Sequence, residues 1–160
     1  MHCMVPEIKR TRCAYLTGPG RVSKMKCVNR LASPQLRDPV LVAGWPGMGL
    51  VAFRAVSFML EKLETRPLAE FDSREIYPLK NVDINEGLIE TSRLPESRAY
   101  YHVADGDGRD LVIFLGEEQP VAGGEWNLSS EILELGAGLG VRDVYTFAAM
   151  VTHIDHRTKP

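Results

Sequence analysis

Three glycines and a proline follow a short apolar run in Val40-Leu41-Val42-Ala43-Gly44-Trp45-Pro46-Gly47-Met48-Gly49-Leu50-Val51-Ala52-Phe53, and an apolar helical pattern begins at once. Glycines between a buried strand and a helix N-terminus let backbone N–H groups face outward, so such a turn can hold an anion or dock the backbone of a partner. The order here is Gly44-x-x-Gly47-x-Gly49, the reverse of the dinucleotide fingerprint, and no lysine follows as a phosphate loop requires. Two uses stay open: a turn whose amides bind phosphate, and a structural turn whose glycines permit close packing. The second is favoured, because a glycine motif outside its full context is weakly specific.

Two further groups could do chemistry. Glu117-Glu118-Gln119 leaves the end of an apolar run, where open α/β sheets collect ligands. Adjacent carboxylates can serve as acid and base, but successive residues point in different directions, so a solvated loop is the simpler reading. His153-x-Asp155-His156 offers two imidazoles and a carboxylate. Zinc needs further firm ligands, which the sequence does not supply. The binding candidates are therefore Gly44, Pro46, Gly47, Met48, Gly49, Glu117, Glu118, Gln119 and His153. No catalytic residue, metal or cofactor is expected.

These residues belong to a chain of 160 residues, 44% apolar, which suits one ordinary domain. The formal charge of −2 conceals an asymmetry. Residues 1–30 carry seven Lys or Arg against the single acid Glu7, so the remainder holds twelve basic and twenty acidic side chains. An acidic body does not suit nucleic acid, which demands clustered cations. Cys3, Cys13 and Cys27 all lie in the basic arm, at spacings that fit no zinc pattern and in an odd number. No run is long and apolar enough to span a bilayer, and the first thirty residues lack a signal-peptide core. The expected setting is the cytoplasm, without membrane contact.

The elements follow from periodicity. Residues 1–37 show no sustained period and read as a basic, disordered tail and linker, with one α/β domain over 38–160. Ala52, Phe53, Val56, Met59, Leu60 and Leu63 mark a helix, and Leu68 to Ile76 reads as extended. Gly87 to Thr91 and Ala99 to Val103 flank Leu94-Pro95-Glu96-Ser97, which predicts a β-hairpin. Leu111 to Leu115 reads as a strand buried on both faces. Asn127 to Leu139 forms a second helix and Val141 to Val151 another strand. The alternation predicts an α/β fold: a mainly parallel sheet with flanking helices and an inserted hairpin. Because a parallel strand calls for a covering helix, the domain reads as incomplete at its C-terminal end.

Gly44-Trp45-Pro46-Gly47-Met48-Gly49-Leu50-Val51 with its helix resembles the opening of the proteasome assembly chaperone family, the second chaperone and its archaeal and bacterial relatives. Ile76-Tyr77-Pro78 before Gly87-Leu88-Ile89, Leu111 to Pro120, and Gly140-Val141-Arg142-Asp143-Val144-Tyr145-Thr146-Phe147 are similar to family segments, in the family's order. The resemblance implies a three-layer fold similar to nucleoside phosphorylases and a non-enzymatic role in assembly, with protein partners and a homo-oligomer. Two departures stand out. Ala148-Ala149 replaces the family's Gly-Gly, and Thr158-Lys159-Pro160 replaces the hydrophobic-Tyr-x tail with which archaeal members dock on proteasomes. The alternatives are a phosphate- or nucleotide-binding enzyme or sensor built on the Gly44–Gly49 turn, and a fragment without independent function.

Overall fold

The computed structural model describes residues 28–77, 82–85, 88–91 and 95–149. Val40–Gly44 (β2) is buried along its whole length, as its uninterrupted apolar sequence requires. It lies between two parallel neighbours, Leu111–Gly116 (β7) and Asp143–Thr146 (β8). Each of the three falls on a segment that the sequence marks as a strand. The other half of the sheet runs differently. Val28–Arg30 (β1), Arg66–Phe71 (β3) and Ser97–His102 (β6) complete the order β1-β3-β6-β7-β2-β8 through antiparallel pairs.

The sheet is thus mixed, where a mainly parallel one was expected. The cause is the short connection between β6 and β7. A parallel return needs a crossover of a dozen residues or more, and Val103 to Asp110 is only a turn. Buried Asp110 ties it down, accepting from the backbone N–H of Arg37 at 2.5 Å and of Ala104 at 2.9 Å.

Alternation along β2 and β7 divides the core in two. Val40, Val42 and Ile113 face Val56, Met59 and Leu60 of the helix Val51–Lys62 (α1). Leu41, Ala43, Val112 and Phe114 face Leu128, Ile132 and Leu135 of the helix Gly124–Ala137 (α3). The two long helices therefore cover opposite faces of one sheet. A single helical turn, Ser73–Ile76 (α2), follows β3, so the stretch read as extended to Ile76 ends at Phe71. Pro67 lies within β3, and the register with β6 shifts beside it, as befits a residue with no N–H to donate.

Two further expectations change. The expected hairpin between 87–91 and 99–103 does not form. Val82–Asn85 (β4) pairs with Leu88–Thr91 (β5), Asn85 opposite Leu88, while β6 enters the main sheet. Ser97 and Ala99 on β6 are buried there, a burial that a two-stranded ribbon cannot supply. The tail-and-linker boundary at 37/38 falls inside the fold, because β1 pairs with β3 and the N–H groups of Leu31 and Ala32 both donate to Leu68 O. Three residues are too few to show a period, so sequence pattern could not reveal β1.

Candidate functional site

β2 and β7 end side by side, with Gly44 opposite Leu115, and the loops leaving them meet. From β2 the chain passes Trp45, Pro46 and Gly47 into a 3-10 turn, Met48–Leu50, and then into α1. From β7 it passes through Glu117 to Pro120. Gln119 Nε2 donates to Pro46 O at 2.5 Å, so one side chain latches the two loops together. Gly44, Pro46, Gly47, Met48, Gly49 and Gln119 are thereby gathered at one crest. This is the carboxyl end of the parallel strands, where open α/β sheets place ligands.

The glycines have distinct physical roles. A Cβ on Gly44 would lie 2.7 Å from Val56 Cγ2 and 2.9 Å from Ala52 O, so this glycine lets α1 rest against the strand end. Gly49 has φ +62° and Leu50 follows at +55°. Two consecutive left-handed residues reverse the chain tightly, and Leu50 N donates back to Gly47 O at 2.8 Å. Gly47 is extended, and a Cβ there would meet only Gln119 Nε2, at an ordinary contact distance of 3.9 Å.

The crest includes residues that sequence reasoning did not select. Trp45 packs on Phe114 with ring centroids 5.1 Å apart, and Phe71 meets Phe114 edge-on at the same separation. A Cβ on Gly116 would lie 2.5 Å from Trp45 Cδ1, so that glycine makes the indole's seat. The signal was available: Gly116 closes the apolar run and Trp45 sits inside the glycine motif. Tyr77 is buried and its hydroxyl hydrogen-bonds Ser97 Oγ. Burial pushes the Tyr77 phenol above its ordinary value, the Ser97 bond opposes this, and the charges of Glu117 and Glu118 add to it. Nothing in the spacing of Tyr77 and Ser97 announces that contact.

Glu117 has a structural role at the strand end. Glu117 Oε2 accepts from Glu96 N at 2.9 Å while Glu117 N donates to Glu96 O at 2.9 Å, so Glu117 closes the end of the β6–β7 ladder. Glu118 is partly buried beside it. His153 lies outside the described residues, as do the three cysteines. Among the described residues, no three His, Cys, Asp or Glu converge as a metal would need, and no helix is long and apolar enough to cross a membrane.

The surface of the crest is apolar. Met48 is 55% exposed, and Leu50 and Val51 are exposed beside it. The helix N-terminus behind them has no side-chain cap, and its first amide, Val51 N–H, donates to Met48 O within the turn. Against an anion stand the two carboxylates of the neighbouring loop. The arrangement therefore suits a partner that brings apolar side chains.

Comparison with known proteins agrees with the fold. The chain resembles the solved structure of PbaB of Pyrococcus furiosus, an archaeal proteasome activator, at 27% identity over 75% of this chain and 50% of that one, with a TM-score of 0.60. It also resembles the proteasome-assembly chaperone homologue Rv2125 of Mycobacterium tuberculosis at 25% identity, covering 66% of this chain and 47% of that one, with a TM-score of 0.52. The chain spans about half the length of these structures. No curated protein sequence matches it. The model of the PAC2 family matches residues 41–160, from the strand that enters the glycine turn through the whole parallel part of the sheet, and the chain therefore belongs to the PAC2 family.

Proposed function

We propose that this chain works by binding other proteins, as a non-enzymatic assembly-chaperone-type factor, with proteasome subunits as the partner class and a homo-oligomer as its own state. The observation that carries this reading is the crest: Met48 and Leu50 stand exposed on a tightly turned backbone, latched by Gln119. An exposed apolar group on a preorganised turn loses little conformational freedom on docking and gains its burial, as interface anchors do. Pro46, Met48 and Gln119 would touch the partner, while Gly44, Gly47 and Gly49 shape the turn. The names of the similar structures, a proteasome activator and a proteasome-assembly chaperone homologue, support the partner class. The absence of a membrane-spanning helix among the described residues is compatible with the cytoplasm as its compartment.

Binding of the chain to purified proteasome α subunits tests this reading. Wild-type chain should bind, and Met48→Asp should bind at least about tenfold more weakly, since losing a buried anchor costs roughly 2 kcal/mol or more. The melting temperature should not change. Equal binding by wild type and M48D, or no binding by either, overturns the proposal.

A further inference from the structure

A helix that packs on a sheet normally shows water a polar outer face. Both long helices of this domain depart from that rule. On α1, Val51 and Phe58 stand seven residues, two turns, apart, on the side away from buried Val56, and are 44% and 59% exposed. On α3, Trp126 and Leu133 repeat the same spacing on the side away from Leu128, Ile132 and Leu135, and are 81% and 52% exposed. Trp126 is the most exposed large apolar side chain among the described residues. Large aromatics concentrate in protein interfaces, and their exposure as a stripe marks a surface that is covered in use.

Charge separates the two stripes. α3 carries the exposed acids Glu125 and Glu134 and no basic residue, and its third acid, Glu131, is buried. α1 carries Arg54 and Lys62 against Glu61, and Lys62 Nζ lies 5.5 Å from the centroid of the Phe58 ring. Pairing α3 with another α3 sets acids against acids, whereas α1 against α3 sets opposite charges around matched apolar stripes. The helices cover opposite faces of the sheet, so one copy cannot satisfy both stripes in itself. A contact from α1 to α3 is heterologous, and each copy uses one surface to give and the other to receive.

We propose that a second copy of this chain lays the outer face of its α3 on the outer face of α1, giving head-to-tail self-association anchored by Phe58 and Trp126. This rests on the homo-oligomer reading above and names the surfaces that make it. Because the contact repeats from copy to copy, it closes as a ring or extends.

Light scattering on wild type, Phe58→Ser and Trp126→Ser decides the matter, with equal melting temperatures as the control on folding. Val51→Ser and Leu133→Ser replace any variant that melts early. Wild type should show a multiple of the 17.8 kDa chain mass. F58S alone and W126S alone should each be monomeric, because each has lost one of the two surfaces. Their equimolar mixture should form a species of twice the chain mass that grows no further, since the intact α1 of W126S meets the intact α3 of F58S. A monomeric wild type overturns both the homo-oligomer and this interface. An oligomeric wild type whose single variants stay oligomeric, or whose mixed variants stay monomeric, overturns the head-to-tail contact alone.

Discussion

Gly49 and Leu50 occupy the left-handed region side by side, and only one of them is a residue suited to it. An L side chain there costs roughly 1–2 kcal/mol through the clash of Cβ with the following carbonyl. Replacing Gly49 with valine should therefore lower unfolding stability by more than about 1 kcal/mol. Gly47→Ala should cost less than about 0.5 kcal/mol, since Gly47 is extended and nothing crowds its Cβ. Leu50→Gly should be neutral or stabilising, as it removes the same strain. Urea denaturation of the three variants checks the order. Tyr77 offers a test by pH. Its phenol ionises at higher pH in the folded than in the unfolded chain. The stability linked to it is present below about pH 10 and is lost as pH rises through the folded value. Between about pH 9 and pH 11, wild type should lose more stability than Tyr77→Phe. Parallel curves would show that this phenol carries no such linkage.

At the level of elements, the strand core and the edge strand differ in how much they hold. Ile113 on β7 is fully buried against α1, so Ile113→Ala should cost about 2–5 kcal/mol by lost burial and a residual cavity. β1 is short and sits at the sheet edge, yet it pairs with β3 and the two amides after it donate to Leu68 O. A chain that begins at residue 34 should consequently melt below one that begins at residue 28, by about 2–4 °C for each kcal/mol lost. Identical melting temperatures would show that β1 contributes nothing. The longer elements were legible because their periods are strong: β2, β7, α1 and α3 each appear within a few residues of where periodicity sets them. The partner of Leu88–Thr91 was not legible. Pairing is a competition between strands, and β6 is drawn away by the burial of Ser97 and Ala99 in the main sheet.

For the whole molecule, the balance between a ligand and a partner reading turns on what stabilises the folded chain. A ligand present at a hundredfold excess over its dissociation constant adds about 2.7 kcal/mol. On the reading proposed here, phosphate, nucleotides and divalent metals should leave the melting temperature unchanged, whereas the protein partner should raise it. A shift with any nucleotide would move the crest to the ligand class.

The local chemistry of this protein was already written in its residue order. A buried run fixes a strand, and three glycines with a proline fix a turn. Apolar spacings of three and four then require a helix that starts at once, and the family follows from that motif together with its companion segments. None of these depends on a distant part of the chain. The sheet's mixed sense, the capture of β1 and β6, the Gln119–Pro46 latch, the seat that Gly116 leaves for Trp45, and the outward stripes of α1 and α3 arise otherwise. Each depends on which residues meet across long separations in the chain. Periodicity reports which side of an element is buried, but only packing decides against what, and only the assembled faces show which apolar side chains are left for a partner.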